Sequence, residues 1–588
     1  MKVFVKTDWL TFTIVSIVIF LKNLLFHYSC FGYLAFSSLW NSPVDFFVFY
    51  LAKLSPAVFI ASFVFITRRK WWLVPVCFLL DIWLIADSIY YRANGFFLDM
   101  DTIAMAGNMA GFWSSVTAYI NWVVYAIVAT TLLLCISLGL SSKVKIVNTN
   151  RSWRCFVMGI SVVLVLGLYN CFWGYQNTKE TSVGAKDGWK YNFITASKQT
   201  AMGNNPAINS QWVEAQSPLH FFPALLFSYA YGLYYHGSCV TLTDMDKNMI
   251  AKFISDKSQL IPDGNLIIIV GESYESWVIG MEDEEGKKVV PYMTKYANVN
   301  NSLYCNKIRS QAMAGTSGDG QMIINTGLLP ISSGAACMTY GNNEWPNIVE
   351  NLYMTGYVVN PCVNVWNQKQ MTEKYGYRHN IQNSAHVRAV GDSVVFAMAS
   401  IVLDSCPKPF SMQIITETTH TPFDCGGRAN MHFPTEMPDN LRNYLNCMHY
   451  ADSCMGVFLS RIERDSLLNN TTIVITGDHT IFKKTLLMEY QQFAQKYNYP
   501  IPQDESYCPL IIMSPKIDGN IKIDELCYQM DIYPTIINLV GEERYRWKGF
   551  GVNLLDSTAR HNRPINESDA YILSDKIIRS NYFKGIIE

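Results

Sequence analysis

The chain carries little charge for its length. Only 16% of its 588 residues are Asp, Glu, Lys or Arg, whereas soluble proteins average about 25%. The two signs balance to a net charge of −1, so no overall basic character points to nucleic acid as a partner. No cysteine pair has CxxC spacing and no Cys/His cluster has zinc-finger spacing, which argues against a structural zinc site. The apolar excess predicts a membrane segment, and the length requires two or three domains.

Five apolar runs are long enough to cross a bilayer, which requires about 20 helical residues. No small-residue cleavage site follows the first run, so it is interpreted as a retained span. Lys and Arg residues lie before span one, in the loop between spans two and three, and in the loop between spans four and five. Positive charge in these segments predicts a cytoplasmic N-terminus. Everything after residue 174 is then expected on the outer face of the inner (cytoplasmic) membrane. The predicted spans are residues 8–27, 45–66, 71–91, 117–140 and 154–173.

A connecting region follows the spans. Its second half contains the aromatic, apolar run 219–235, with Pro223 near its start. Such a run suits an interfacial helix better than a sixth span, which would return the rest of the chain to the cytoplasm. Ten cysteines from Cys239 onward favour the outer side, where disulfides form. The predicted domains are a transmembrane domain (1–173), this linker (174–262) and an extracytoplasmic domain (263–588).

From residue 263 onward, short apolar runs alternate with helical stretches. A short continuous apolar run is typical of a parallel strand buried on both faces, and alternation with helices predicts a doubly wound sheet. Ligands of such sheets bind beyond the carboxyl ends of the strands. The predicted strands are 265–273, 356–359, 411–420, 471–480 and 508–515, and the predicted helices include 390–404 and 438–465.

Polar side chains follow three of these strands. Glu272 ends the first strand, His420 follows the third, and Asp478 with His479 ends the fourth. Together with a hydroxyl, these oxygen and nitrogen atoms form a set suited to one divalent cation, such as Mn²⁺, Zn²⁺ or Mg²⁺. Each residue alone is more often a surface or capping group, so the prediction depends on their conjunction.

The hydroxyl is expected from the segment GTSGDGQ at residues 315–321, which precedes an apolar helical run. Unpaired N–H groups at a helix start favour a phosphate, and a bound dication lowers the pKa of an alcohol. Thr316, thus activated, can attack phosphorus and form a covalent phospho-threonine. His420 can protonate the leaving alcohol or deprotonate the incoming one.

The motifs GES, TSGDGQ, TETTHTPF, VITGDHT and YQMDIYPTIINLVG follow one another in this order along the chain. Together they resemble the lipoteichoic acid synthase and phosphoglycerol transferase family of the alkaline phosphatase superfamily. The resemblance implies a five-helix transmembrane bundle followed by an α/β, sulfatase-like extracytoplasmic domain with a mainly parallel sheet. It also implies Thr316 as the nucleophile and one metal ion, expected to be Mn²⁺, held by Glu272, Thr316, Asp478 and His479, with His420 beside the substrate.

The implied reaction moves a phosphoglycerol group from a phospholipid headgroup, usually that of phosphatidylglycerol, to an acceptor hydroxyl on polyglycerolphosphate or a glycan. The family binds the glycerophosphate with a tryptophan-asparagine-arginine segment. This chain offers Trp366 and Asn367, followed by Gln368 and Lys369 instead of the arginine. A neutral amide or a monodentate ammonium is no substitute for the arginine fork, so the substrate departs further from the family pattern than the reaction does.

Three alternative functions fit the sequence less well. A formylglycine sulfatase needs C-x-P-x-R, and the nearest match, Cys406-Pro407-Lys408-Pro409, lacks the arginine. A phosphoethanolamine transferase shares the membrane plan and ligands, but usually has a histidine a dozen or so residues beyond the GDH-like pair, and none occurs between His479 and His561. An inactive sulfatase-like sensor is disfavoured because every ligand position holds a competent group.

Overall fold

The computed structural model divides the chain into two compact units. The N-terminal unit comprises Met1–Ala104 and Ser115–Gly237, and the C-terminal unit comprises Met105–Ser114 and Ser238–Glu588. The structure describes residues 2–31, 50, 53–54, 57–65, 70–94, 98, 116–117, 119–141, 156–157, 160, 240–254, 264–331, 334–347, 349, 355–360, 365–382, 391–481, 490, 493–502, 505–541 and 547–585.

Three apolar helices dominate the described part of the N-terminal unit. Two of them are long and apolar enough to cross a membrane, over Trp9–Cys30 and Leu73–Arg92, and a shorter apolar segment covers Trp122–Leu138. Their buried faces form one hydrophobic cluster, and the opposite faces expose large apolar side chains. The helices are α1 (Lys2–Phe31), α2 (Leu73–Asn94) and α3 (Trp122–Ser141).

The expected five-helix bundle is therefore supported only in part. Apolar helices occur where spans one, three and four were predicted. Of the predicted span 45–66, the described residues (50, 53–54 and 57–65) are helical. The predicted span 154–173 falls mainly outside the described residues, and the predicted interfacial helix 219–235 falls wholly outside them. The apolar helices are consistent with membrane anchoring, while the number of spans and their orientation stay predictions.

A buried ion pair joins the three helices. Lys22 of α1 pairs with Asp81 of α2, and neither side chain is more than 2% exposed. The Lys22 ammonium also donates to the Thr131 hydroxyl (2.8 Å) and the Ile127 carbonyl (2.9 Å) of α3. Thr131 in turn donates to Asp81. All the polar atoms of this cluster are thereby satisfied, which an apolar surrounding requires.

The C-terminal unit is built on a mainly parallel sheet, as predicted. Its described strands follow the order β4-β3-β5-β1-β6-β7-β2-β8, with β9 beside β2. Only β7 runs antiparallel to its neighbours in the described sheet. The strands are β1 (Asn265–Gly271), β2 (Ser302–Arg309), β3 (Thr355–Asn360), β4 (His379–Gln382), β5 (Phe410–Ile415), β6 (Thr471–Gly477), β7 (Cys508–Met513), β8 (Asn520–Ile523) and β9 (Cys527–Tyr528).

Helices cover both faces of the sheet because its central strands are apolar on both sides. Every residue of β1, β6 and β7 is buried. Along β1, Ile268 packs into one hydrophobic cluster with the helices 316–326 and 532–540, whereas Ile267 and Ile269 pack into another with the helices 392–405 and 439–464. The helices are α4 (Asp244–Ile250), α5 (Pro291–Tyr296), α6 (Thr316–Thr326), α7 (Ala336–Thr339), α8 (Gln368–Lys374), α9 (Asp392–Ser405), α10 (Asp439–Arg464), α11 (Ile532–Val540), α12 (Ser557–His561) and α13 (Glu567–Ser580).

The five predicted strands are all present, each within a few residues of its predicted bounds. Four further strands were not predicted. Of these, β2 (SLYCNKIR) is interrupted by polar residues, and β4, β8 and β9 are only two to four residues long. Short or polar strands lack the continuous apolar run that identifies a buried strand. Whether such a segment forms a strand therefore depends on the strands with which it pairs.

Candidate metal centre and hydroxyl turn

Two acidic residues meet at the carboxyl edge of the sheet. Strands β1 and β6 are parallel neighbours, and their register pairs Gly271 with Gly477. Glu272 and Asp478 therefore follow at the same height, as expected for side chains that leave adjacent parallel strands. Both are buried, with exposures of 8% and 2%.

His479 completes a cluster with these two carboxylates. One ligand atom from each of Glu272, Asp478 and His479 lies within 4.8 Å of the other two. His479 Nε2 is 3.5 Å from Glu272 Oε1 and 3.8 Å from Asp478 Oδ2. Its Nδ1 lies 3.2 Å from the Thr480 carbonyl oxygen. If Nδ1 donates to that oxygen, the Nε2 lone pair is directed to the cluster, as a metal ligand requires.

Backbone contacts hold Asp478 in place. Its Oδ1 accepts the amides of Ser273 and His479, both at 2.8 Å. The side-chain amide of Gln529 donates to the Asp478 carbonyl oxygen at 2.6 Å. Gln529 was not predicted from the sequence, because its role depends on a contact across 51 residues.

The donor set fits a divalent cation. Burial, followed by the neighbouring Glu272 carboxylate, raises the pKa of Asp478 to about 7. Among the described residues, the only basic side chain that pairs with these carboxylates is His479. Two buried carboxylates that lack a compensating charge favour a bound cation, and the mixed O and N ligands suit Mn²⁺, Zn²⁺ or Mg²⁺. Glu272, Asp478 and His479 thus form a candidate metal site, of which the ion is not identified.

The segment GTSGDGQ begins α6, as expected, and it brings Ser317 to the cluster. The Ser317 hydroxyl donates to Glu272 Oε2 at 3.0 Å and lies 3.3 Å from His479 Nε2. Thr316, the residue before it, has φ = +37°, so ideal helix geometry does not set the direction of its side chain. No described hydrogen bond joins the Thr316 hydroxyl to the three ligands. The structure therefore places Ser317 in the position expected for Thr316, whose role as ligand and nucleophile stays a prediction.

His420 lies at the same edge of the sheet. Strand β5 is the other neighbour of β1, and the Thr416 amide just beyond it donates to the Val270 carbonyl at 3.1 Å. Three residues further on, the Thr419 hydroxyl donates to the Glu272 carbonyl oxygen. His420 is partly buried, and its Nδ1 lies 2.7 Å from the Thr421 carbonyl oxygen. This is the expected neighbourhood of His420, although it is not itself a member of the three-residue cluster.

Of the four predicted headgroup residues, Trp366 lies beside α6. A Cβ atom added to Gly318 in α6 would lie 3.1 Å from the Trp366 Cβ. The Asn367 amide instead donates to the Cys337 carbonyl oxygen at 3.0 Å. Gln368 is buried and turns toward Thr372 within α8, and Lys369 is exposed. Trp366 therefore packs against α6, and the role of the four residues in binding stays a prediction.

Two family models match the chain. A model described as Sulfatase matches residues 265–542, and one described as Lipoteichoic acid synthase N-terminal domain matches residues 1–181. The chain belongs to the lipoteichoic acid synthase family. The family is part of the sulfatase and alkaline phosphatase superfamily.

Curated relatives of the family are distant in sequence. The chain is 24% identical over 323 residues to Lipoteichoic acid synthase 2 of Bacillus subtilis (strain 168), covering 52% of this chain and 49% of the relative. It is 21% identical over 558 residues to Lipoteichoic acid synthase of Staphylococcus aureus (strain USA300), covering 90% of this chain and 82% of the relative. The chain spans about half the length of the first of these relatives.

A solved structure shares the fold over both units. The integral membrane protein lipooligosaccharide phosphoethanolamine transferase A from Neisseria meningitidis aligns with a TM-score of 0.51 and 10% sequence identity. The alignment covers 91% of this chain and 95% of that protein. At this identity the likeness shows the architecture alone, an N-terminal helical region followed by a sulfatase-like domain.

Proposed function

We propose that the protein is a metal-dependent membrane phosphotransferase that moves a phosphoglycerol group from phosphatidylglycerol to an acceptor hydroxyl. The acceptor is a polyglycerolphosphate chain or a glycan of the cell envelope. Membership in the lipoteichoic acid synthase family supports the reaction class. The observation that carries the proposal is the cluster of Glu272, Asp478 and His479 with a hydroxyl of the α6 turn hydrogen-bonded to it.

The chemistry follows from the positions of these side chains. A divalent cation at the cluster would lower the pKa of a neighbouring alcohol and offset the charge of a phosphodiester. The deprotonated Thr316 oxygen attacks phosphorus, the bond from phosphorus to the diacylglycerol oxygen breaks, and protonated His420 gives that oxygen its proton. The acceptor hydroxyl then attacks the phospho-threonine, giving its proton to His420 and releasing Thr316.

The identity of the nucleophile is tested by a pair of variants. The family resemblance selects Thr316, whereas Ser317 is the hydroxyl that contacts Glu272. We expect Thr316→Ala to abolish release of diacylglycerol from labelled phosphatidylglycerol, and Ser317→Ala to reduce the rate far less. Reversed effects would assign the nucleophile to Ser317. Tandem mass spectrometry of enzyme trapped with lipid identifies the modified residue directly.

Phosphoethanolamine transfer is the second candidate. It shares the membrane plan and the metal ligands, and Gln368 in place of the family's arginine weakens the case for a glycerophosphate headgroup. The mass added to the trapped enzyme distinguishes the two groups, because phosphoglycerol and phosphoethanolamine differ in composition. Phosphatidylglycerol and phosphatidylethanolamine are supplied separately, so that each donor is tested without the other.

We further propose that the N-terminus is cytoplasmic, that five spans hold the chain in the inner membrane, and that the catalytic domain lies on the outer, periplasmic or extracellular face. The domain limits 1–173, 174–262 and 263–588 belong to this proposal. Single cysteines introduced before span one and at an exposed position of the C-terminal unit, in a cysteine-depleted chain, test it. An impermeant maleimide is expected to label only the second position in intact cells.

A further inference from the structure

The turn that leads into α6 has an unusual backbone. Thr316, its first helical residue, has φ = +37°. Positive φ is uncommon for any residue with a side chain and is an outlier for a β-branched one. Such a conformation persists only where the surroundings hold it, and it is often found at functional sites. The question is which group holds this turn.

The Asp319 carboxylate reaches back from α6 to the residues before the helix. Its Oδ2 accepts the amide of Met313 and the amide of Gly315, both at 2.9 Å. The Asp319 amide donates to the Gly315 carbonyl oxygen at 3.2 Å. Backbone and side chain of one residue thus close a ring around Thr316. Asp319 is 1% exposed, so water does not replace these bonds.

Gly315 supplies the space that the carboxylate needs. A Cβ atom added to Gly315 would lie 2.2 Å from Asp319 Oδ1, closer than any real contact. The neighbouring amide of Thr316 donates to the Met313 carbonyl oxygen (3.0 Å), and the Gly318 amide donates to the Gly315 carbonyl oxygen (2.8 Å). The glycine at 315 and the aspartate at 319 are therefore parts of one structure, and neither is explained by metal binding.

We propose that Asp319 is a positioning residue that holds the hydroxyl turn, residues 313–317, in its catalytic conformation. The proposal rests on the proposed function and deepens it, because the turn carries both candidate nucleophiles. Asp319 acts through the Met313 and Gly315 amides, and among the described residues no hydrogen bond joins its carboxylate to the ligand cluster. Its contribution is orientation: a nucleophile displaced by about 1 Å loses on the order of a hundredfold in rate.

The test compares Asp319→Ala with Asp319→Asn in the full-length protein in detergent. The asparagine carbonyl can accept both amides as Oδ2 does, whereas alanine accepts neither. We expect Asp319→Ala to lower kcat about 100-fold and to change KM less, because a misplaced nucleophile affects the transition state more than substrate binding. Asp319→Asn is expected to stay within about fivefold of the wild type, since the acceptor is retained. Should Asp319→Ala fail to fold, Asp319→Ser, too short to reach both amides, takes its place.

A matched control is available in Asp283. Its Oδ1 also accepts two amides of its own loop, those of Glu285 (3.0 Å) and Lys287 (2.9 Å), outside the candidate site. Asp283→Ala removes the same kind of contact and is expected to leave kcat unchanged. An equal loss of kcat in Asp283→Ala and Asp319→Ala would show that general destabilisation explains the effect, and would overturn the proposal.

Hydrogen exchange supplies a readout that does not depend on activity. Peptides containing residues 313–317 are expected to exchange faster in Asp319→Ala than in the wild type, and at the wild-type rate in Asp319→Asn. Unchanged exchange in Asp319→Ala, or a kcat of Asp319→Asn as low as that of Asp319→Ala, overturns the positioning role. If the wild type transfers no group from any lipid, the proposed function fails, and the exchange comparison still decides what holds the turn.

Discussion

Both units of the protein bury charged side chains, but they do so in opposite ways. In the N-terminal unit, Lys22 and Asp81 have opposite charges and neutralise each other. In the C-terminal unit, Glu272 and Asp478 have the same charge and lie beside one histidine, with no other basic partner among the described residues. The first arrangement is complete in the protein alone, whereas the second forms a candidate site for a cation.

The comparison shows how buried charge can be interpreted. An ion pair of opposite charges has a structural role in helix packing, because removing either member leaves an uncompensated charge in an apolar environment. A cluster of like charges is costly by itself and marks a ligand site. The predictions below break one arrangement or the other.

The largest effect is expected from removing a ligand charge. Asp478→Asn preserves the shape of the side chain but removes the negative charge. Loss of a group that hydrogen-bonds to a metal ligand lowers metal affinity or activity about 10–100-fold. Loss of the ligand charge itself is therefore expected to lower metal affinity and turnover at least about 1,000-fold. Metal content of the purified protein and diacylglycerol release measure it. Asp439→Asn, at a side chain that is 88% exposed, is the control, and equal losses in both would contradict the assignment.

Breaking the ion pair of the N-terminal unit is expected to cost stability instead. Lys22→Met leaves Asp81 buried and unpaired, which destabilises by about 3–5 kcal/mol. The double variant Lys22→Met/Asp81→Leu removes both charges and is expected to recover most of this loss. Unfolding in detergent, monitored for both variants, measures the difference. A double variant no more stable than Lys22→Met would mean that the pair does not neutralise itself as described.

A smaller effect is expected at Gly320, where α6 packs against the end of β6. A Cβ atom added to Gly320 would lie 2.2 Å from the Asp478 carbonyl oxygen. Gly320→Ala must therefore displace Asp478 or the helix, and we expect metal affinity to fall about 10–100-fold, the usual cost of disturbing a ligand's support. Titration with Mn²⁺ measures it, and an unchanged affinity would show that the contact is absorbed elsewhere.

The mildest test is pH. Because the pKa of Asp478 is raised to about 7 in the metal-free protein, its carboxyl keeps a proton below that pH. A cation binds the deprotonated form, so Mn²⁺ affinity is expected to be full above about pH 7 and to fall about tenfold per unit below it. Calorimetry in buffers of different ionisation enthalpy measures the proton released. A Mn²⁺ affinity that does not change between pH 5 and pH 8 would contradict this linkage.

Much of this site could be predicted from local patterns. Continuous apolar runs identified β1 and β6, and the polar residues that end them, Glu272 and Asp478, were predicted as ligands because parallel strands share a carboxyl edge. Lys22 was missed, since a single cation within a long apolar run gives no sign of its partner 59 residues away. Asp319 was visible in the motif, but its reach back to Met313 depends on the turn that it closes.

The sequence alone determined the classes of element and the chemistry of their ends, because periodicity and polarity are local properties of the chain. It identified two adjacent hydroxyls at the start of α6 without distinguishing their directions. Only the tertiary structure decided that Ser317 faces Glu272, that Gln529 supports Asp478, and that Lys22 finds Asp81. Each of those outcomes depends on the packing of segments distant in sequence, which sets where a side chain points and what it meets.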